Sequence, residues 1–298
     1  MKILITGGAG YIGTRLAQRL AAEHEVVVLD NLRRGTREAA KGLQLVEGDV
    51  RDAVLLRDLM RGAALVFHLA AESAVMSAAA DPQYCFETNV AGTFQVLRAA
   101  QSAGVKRVVF SSSREVYGEP VSLPVPESAA LAPCNIYGAS KAAAEMFCRS
   151  FRNEGLEVPI VRLSNVYGPG DQGRVVPLFV KKAVRGLPLK LFGTRQVMDF
   201  VWIETVLDAL VRLGCGSYVA GPLNVGSGTG TTILELARRV IDAAGSASAV
   251  EVLDRRDGEV MRFVADTATA VREVGLAIPD DPLFGLPAII SSALAGNL

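Results

Sequence analysis

Met1-Lys2-Ile3-Leu4-Ile5-Thr6-Gly7-Gly8-Ala9-Gly10-Tyr11-Ile12-Gly13 opens the chain, and its reading decides the fold. Ile3, Leu4 and Ile5 form a short continuous apolar run, the pattern of a parallel strand buried on both faces. Glycines follow at once. Arg15 to Ala22 then reads as a helix, with Ile12, Leu16 and Leu20 near one face. Strand, glycine turn and helix is the context in which a glycine motif becomes informative. Gly7 lets the chain turn, Gly10 has no Cβ to keep a pyrophosphate from the backbone, and Gly13 lets the helix pack close on the strand. The helix N-terminus offers free N–H groups and a positive dipole end to phosphates. A tight turn in an unrelated α/β protein would use the same glycines.

Working outward, Val26-Val27-Val28-Leu29-Asp30 is a second buried strand that ends in an acid. Its distance from the glycines is close to the spacing of about 20 residues at which an adenosine ribose is held. Asp30 is therefore expected to accept hydrogen bonds from ribose hydroxyls. Its charge would repel a 2′-phosphate, which favours NAD over NADP. Arg33 and Arg34 weaken that preference, unless they are simply solvated. Strands are predicted at Leu43–Asp49, Ala64–Ala71 and Val105–Ser113, and helices at Asp52–Met60 and Pro82–Ala103, the latter stopped by Gly104. Strands alternating with helices predict an α/β fold with a doubly wound parallel sheet. Ligands of such sheets sit at the carboxyl ends of the strands, where Asp30, Asp49, His68 and Ser113 fall. Asp49 either contacts an adenine or caps the helix near Asp52. His68 lies between apolar neighbours and reads as a satisfied core histidine rather than a catalytic one.

Composition removes several classes. The 298 residues allow one large α/β domain, or a domain with a smaller lobe. Net charge is zero, which gives no reason to expect a nucleic-acid or membrane partner. Cys85, Cys134, Cys148 and Cys215 are scattered, as core residues in a reducing compartment would be. With two histidines, His24 and His68, a histidine metal centre is not expected. The chain enters a strand at once and has no long apolar run, so a cytoplasmic location is expected.

A loop rich in proline (Pro124, Pro126, Pro133) leads to Asn135-Ile136-Tyr137-Gly138-Ala139-Ser140-Lys141 and a helix from about Ser140 to Arg152. Long loops in α/β domains are often functional. If Tyr137 lies in the first turn, it shares a face with Lys141. A free tyrosine titrates near pH 10 and is a poor base at neutrality. A nearby ammonium and an oxidised nicotinamide ring favour the phenolate. Ser113, at a strand end, would share the substrate proton. A surface Tyr–Lys pair is the plain alternative. Combined with the glycine turn, Asp30 and Ser113, the pair points to a dehydrogenase-type site.

These pieces together resemble the extended short-chain dehydrogenase/reductase family, the NAD-dependent nucleotide-sugar epimerases and dehydratases. The resemblance covers nearly the whole chain. It includes GGAGYIG at Gly7–Gly13, HLAAESAV at His68–Val75, ETNVAGT at Glu87–Thr93, SSSREVYGEP at Ser111–Pro120, YGASK at Tyr137–Lys141 and RLSNVYGPG at Arg162–Gly170. It implies a Rossmann-type sheet over residues 1–165, to which the chain returns near 200–226, and a smaller α/β substrate lobe over 166–298. It assigns catalysis to Ser113, Tyr137 and Lys141, with Glu115 beside them. On the NAD side it implies Gly7, Gly10, Tyr11, Ile12, Gly13, Asp30, Asn31, Asp49, Val50, Leu69, Ala70, Ala71, Asn89, Ser111, Tyr137 and Lys141. Asn89 could equally be a polar helix residue that bonds backbone. For the sugar nucleotide the resemblance implies Ser113, Asn165, Arg174, Val176, Phe192 and Arg256. Phe192 has an alternative place in the core of the lobe. A planar guanidinium at Arg256 would bind two phosphate oxygens at once. A homodimer through the helices at Pro82–Ala103 and Ser140–Arg152 is a further implication.

Two departures matter. Met198 stands where the family commonly has an arginine before its Asp-Phe pair, which implies weaker diphosphate binding unless Arg174 or Arg195 compensates. Arg114 stands where a dehydratase has an acid, and an arginine is a poor proton donor near neutrality. It could instead pair with Glu115 at the surface. The resemblance thus favours 4-epimerisation of a UDP-hexose, ahead of 4,6-dehydration or decarboxylation of a uronate. A reductase and a non-catalytic NAD-binding regulator are further alternatives.

Overall fold

The computed structural model describes residues 1–171, 173–254 and 260–296. Two compact units divide the chain. The first holds Met1–Gly118, Ala130–Arg162 and Leu207–Leu223; the second holds Glu119–Ala129, Leu163–Val206 and Asn224–Leu298. In chain order the first elements are β1 (Lys2–Thr6), α1 (Tyr11–Leu20), β2 (Glu25–Asp30), β3 (Gln44–Glu47), α2 (Ala53–Leu59), β4 (Ala63–His68), α3 (Val75–Ala80), α4 (Pro82–Phe86), α5 (Thr93–Ser102), β5 (Arg107–Ser113), α6 (Ile136–Asn153) and β6 (Ile160–Leu163). There follow β7 (Asn165–Tyr167), α7 (Val175–Ala183), β8 (Leu189–Phe192), β9 (Val197–Trp202), α8 (Ile203–Cys215), β10 (Pro222–Val225), β11 (Gly230–Thr232), α9 (Ile233–Ala243), β12 (Val250–Leu253), α10 (Ala268–Val274) and α11 (Leu286–Leu294).

Strand order in the large sheet is β10-β6-β5-β4-β1-β2-β3, and the pairs among β1 to β5 are parallel. Order reverses at β1, with β2 on one side and β4 on the other, which makes this the doubly wound Rossmann-type sheet that the sequence predicts. Ile3, Leu4 and Ile5 are wholly buried, as an apolar run covered on both faces requires. Gly7 has φ +71°, and a Cβ there would lie 2.6 Å from the backbone nitrogen of Ala70. A Cβ on Gly13 would lie 2.3 Å from the Gly7 carbonyl. Neither position admits a side chain: Gly7 lets the turn lie against Ala70, and Gly13 lets α1 pack directly on the turn.

Asp52, not Asp49, caps α2; its carboxylate accepts from the backbone of Val54 and Leu55. The helix expected over Pro82–Ala103 is interrupted. A π-helical turn spans Glu87–Gly92 between α4 and α5. It coincides with the Thr93 hydroxyl bonding back to the Asn89 carbonyl at 2.6 Å. Helix α6 starts four residues earlier than predicted, because Asn135 caps it by accepting from the Gly138 N–H at 2.8 Å. Tyr137 therefore lies in its first turn. Arg107 donates to the carbonyls of Leu213, Gly214 and Gly216, closing the end of α8 within the first unit.

The second unit has a three-stranded sheet, β11-β9-β7, and a two-stranded one, β12-β8. Helices α7, α9 and α11 pack on its core around Tyr167, Phe179, Phe200 and Leu236. Asp199 is wholly buried and staples the loop after β10. It accepts from Ser227 N and Oγ at 2.7 and 2.9 Å, from Gly228 N at 3.1 Å and from Ala265 N at 3.0 Å. Burial raises its pKa, against the opposing pull of those bonds.

Candidate active site

Helix α6 brings three polar side chains to one face. Tyr137, Lys141 and Glu145 follow one another at intervals of four. All three are buried, at 8%, 2% and 0% exposure. Lys141 Nζ donates to the Ser111 carbonyl at 2.9 Å and stands 4.9 Å from the centre of the Phe110 ring. Burial depresses its pKa to about 8. Ser113 ends β5 beside this face, and its hydroxyl accepts from the Glu115 N–H at 3.2 Å.

The base of the face is a buried ion pair. Arg162 of β6 donates to Glu145 through Nε at 2.9 Å and Nη2 at 2.7 Å, and both side chains are wholly buried. Ser112 donates to the same carboxylate at 2.6 Å, and Arg162 Nη1 donates to Tyr117 Oη at 2.7 Å. This network fixes α6 on β5 and β6. Sequence reasoning did not single it out, although the four-residue spacing continues from Lys141 to Glu145.

Arg114 and Glu115 do pair, at 2.7 Å, but with side chains only 12% and 8% exposed. This corrects the alternative of a surface pair. The other Glu115 oxygen accepts from Asn135 Nδ2 at 2.7 Å. Glu115 is thereby tied to the residue that caps the Tyr137 helix.

The residues assigned to the cofactor side end or follow strands β1 to β4, apart from Asn89 on the π-helical turn, Ser111 on β5, and Tyr137 and Lys141 on α6. Asp30 accepts from the Ala9 N–H at 3.0 Å and the Leu32 N–H at 2.8 Å, which holds its carboxylate at the glycine turn. Gly10 is the N-cap residue of α1, which Tyr11, Ile12 and Gly13 begin. Asn31 donates to Asp49 and to the Tyr84 hydroxyl, each at 2.9 Å. Partial burial acts to raise the Asp49 pKa, but hydrogen bonds from Arg51 and Asn31 outweigh it and the net shift is downward. Val50, next in the chain, is buried. Leu69, Ala70 and Ala71 follow β4, and Leu69 donates to the Thr6 carbonyl at 3.0 Å. Arg33 and Arg34 are not simply solvated. Arg33 lies 3.6 Å over the Tyr84 ring and pairs with Asp81, while Arg34 donates to Ser73 at 2.9 Å.

Asn89 has no exposure at all. Its amide grips Glu72 at both backbone groups, at 2.8 and 2.9 Å, and donates to Ser140 Oγ at 2.8 Å. His68 is a core histidine, as read; it touches Thr6 and Thr93 at 2.7 and 2.9 Å. Burial, with a smaller contribution from Lys141, lowers its pKa to about 3, so the ring is neutral at physiological pH.

Of the residues assigned to the sugar nucleotide, Asn165, Arg174, Val176 and Phe192 lie in the second unit and Ser113 in the first. Asn165 begins β7 and donates to the Asp199 carbonyl at 2.9 Å. Arg174 is the residue before α7 and pairs with Asp171 at 3.3 Å. Val176 is buried on α7, and Phe192 ends β8 partly exposed. Arg256 lies outside the described residues. Met198 packs against the apolar core of this unit, so the place of the family's arginine is taken by a core-facing side chain.

The Lys141 pKa carries a prediction. The folded value lies below the free value of 10.5, so the charged lysine destabilises the fold fully below about pH 8. That penalty fades as pH rises toward 10.5. Lys141→Met removes it but leaves the Ser111 carbonyl without its partner, a partial offset of about 1–3 kcal/mol. The cofactor-free variant is expected to melt about 2–4 °C higher at pH 7, with the gain shrinking at pH 10. Calorimetry at the two pH values checks this, and the variant should lose turnover.

The model of the NAD-dependent epimerase/dehydratase family matches residues 3–225. A UDP-glucose 4-epimerase of Mycolicibacterium smegmatis is 35% identical over 290 residues, which cover 92% of each chain. The crystal structure of Thermotoga maritima UDP-glucose 4-epimerase with UDP-glucose superposes with a TM-score of 0.95 at 29% identity, covering 99% of both chains. DesIV of Streptomyces venezuelae, a dTDP-glucose 4,6-dehydratase solved with NAD, gives 0.93 at 34% identity over 99% of this chain and 97% of its own.

Proposed function

The chain belongs to the NAD-dependent epimerase/dehydratase family, and on that footing we propose that it is a nucleotide-sugar 4-epimerase acting on a UDP-hexose. The pair of UDP-glucose and UDP-galactose is the first to try, by likeness to the relatives described above. The glycine turn fits a dinucleotide, because Gly10 puts backbone without a side chain at the N-terminus of α1. Gly7, Gly10, Gly13 and Asp30 would hold it at one end, and Lys141 with Ser111 at the other. When bound, NAD supplies the acceptor and donor of a hydride at sugar C4. Tyr137 takes the proton of the C4 hydroxyl, Lys141 favours the phenolate, and Ser113 shares the proton. The charge of Asp30 would repel a 2′-phosphate. The 4-keto sugar turns its other face within the site; hydride would return to C4 on that face, and the C4 oxygen takes its proton back from Tyr137.

One observation carries epimerisation over dehydration. A 4-ketone acidifies the neighbouring C5–H, and a dehydratase needs a free base and an acid there. Here the carboxylate beside Ser113 is held by Arg114 on one oxygen and Asn135 on the other. The likeness to DesIV keeps dehydration as the second reading. Incubation with a panel of nucleotide sugars, read by mass and NMR, decides. Unchanged mass with inverted C4 supports the proposal; loss of water or of carbon dioxide rejects it.

The homodimer belongs to this proposal too. Phe86, Met146 and Phe147 are 55%, 47% and 37% exposed on α4 and α6, an apolar surface suited to a second copy. Met146→Glu is expected to shift the chain from dimer to monomer in sedimentation, and a dimer of unchanged affinity would count against this face. Cys85, Cys148 and Cys215, held as thiols, suit a cytoplasmic, reducing location. No helix among the described residues is long and apolar enough to cross a membrane.

A further inference from the structure

Thr6, His68, Thr93, Asn89 and Ser140 form a buried polar line through the first unit, none more than 6% exposed. The direction of every hydrogen bond in it can be worked out, because a hydroxyl has one proton to give. Thr93 Oγ1 gives its proton to the Asn89 carbonyl at 2.6 Å. Toward His68 Nε2, 2.9 Å away, it can only accept. The Nε2 atom must therefore carry the ring proton. A neutral imidazole has one N–H, so Nδ1 is bare and accepts from Thr6 Oγ1 at 2.7 Å. The Thr6 oxygen is then left to accept from the Ala70 N–H, a longer contact of 3.4 Å. At the far end Asn89 Nδ2 donates to Ser140 Oγ at 2.8 Å, and Ser140 gives its proton to the Tyr137 carbonyl at 2.7 Å. The groups facing the ring are the two threonine hydroxyls and Phe110, whose ring lies 5.8 Å away. The charge acting on it is that of Lys141, which disfavours a second cation.

We infer that His68, locked as the neutral Nε2–H tautomer, is a positioning residue that ties the turn at Ala70 to the helix start carrying Tyr137. Each hydroxyl and the ring N–H in the line has one acceptor, and reversing the ring would set two donors or two bare acceptors against each other at a buried contact. The π-helical turn serves the line: it contains Asn89 and is followed at once by Thr93, so the Asn89 carbonyl takes the Thr93 proton while the Asn89 side chain meets Ser140. Helix α6 is then held twice, by Glu145 at its base and by this line at its start.

The tautomer can be measured on the full chain without any substrate. With only two histidines present, ring-nitrogen NMR of protein labelled with ¹⁵N-histidine is readily assigned by His24→Gln. The expected spectrum has His68 Nε2 protonated and Nδ1 bare, unchanged between about pH 5.5 and 8.5. An Nδ1–H ring, or one that titrates in this range, overturns the inference. A second arm rests on the epimerase reading. Thr93→Val removes the hydroxyl at nearly constant shape and is expected to lower kcat about tenfold with KM unchanged, whereas Thr93→Ser restores kcat. Wild-type kcat in the valine variant, or equal losses in both variants, overturns it. If the wild type turns over no nucleotide sugar, the epimerase reading fails and the NMR result still decides the tautomer.

Discussion

Tyr137→Phe is expected to lower kcat about a thousandfold while NAD still binds. The substitution removes one oxygen and leaves the ring in its buried seat at the first turn of α6. Positioned proton transfer contributes about 10²–10⁴ in rate, and no other hydroxyl on this face of α6 can assume it. The neighbouring groups are already committed: Lys141 is bonded to Ser111, and Glu145 to Arg162 and Ser112. Single-turnover kinetics on the variant, with bound NAD read by fluorescence, separate loss of chemistry from loss of cofactor. A variant with more than about a tenth of wild-type kcat would remove Tyr137 as the base.

The largest effect on stability is expected at Glu145. Glu145→Gln leaves the Arg162 guanidinium without its counter-charge at a position with no solvent access. Breaking a buried pair from one side costs about 3–5 kcal/mol. In a chain of this length that lowers Tm by about 6–12 °C. Most of the loss belongs to the orphaned charge rather than to the pair. A double replacement, Glu145→Met with Arg162→Met, is therefore expected to melt well above the single variant. Because α6 loses its hold on β5 and β6, kcat should fall in both. A Glu145→Gln protein as stable as wild type would show that the pair carries no such role.

The parts of this molecule that were legible in its sequence are those set by local spacing. The strand at Lys2–Thr6, the glycine turn and α1 follow from one continuous stretch, residues 1–22. Asp30 follows from where its strand ends, and the Tyr137–Lys141 pair from one helical turn. Contacts between distant segments were not legible. Arg162 in a strand and Glu145 in a helix look like two ordinary surface charges until the fold buries both. His68 meets Thr6 and Thr93, 62 and 25 residues away, and only those contacts reveal its proton. Asp49 could be read on paper as an adenine contact or as a helix cap; the cap is Asp52, and Asp49 is bonded by Arg51 and Asn31. The π-helical turn within the helix expected over Pro82–Ala103 leaves no mark on the apolar periodicity. Arg33 and Arg34 needed the positions of Tyr84 and Ser73 before their partners could be named.

The central claim is that a hydride leaves C4 of the sugar and returns to the same carbon on its other face. UDP-glucose carrying deuterium at C4 tests it most directly. Epimerisation by this route yields UDP-galactose of unchanged mass with the deuterium still at C4. Deuterium washed out to solvent, or a product lighter by one water, would contradict it.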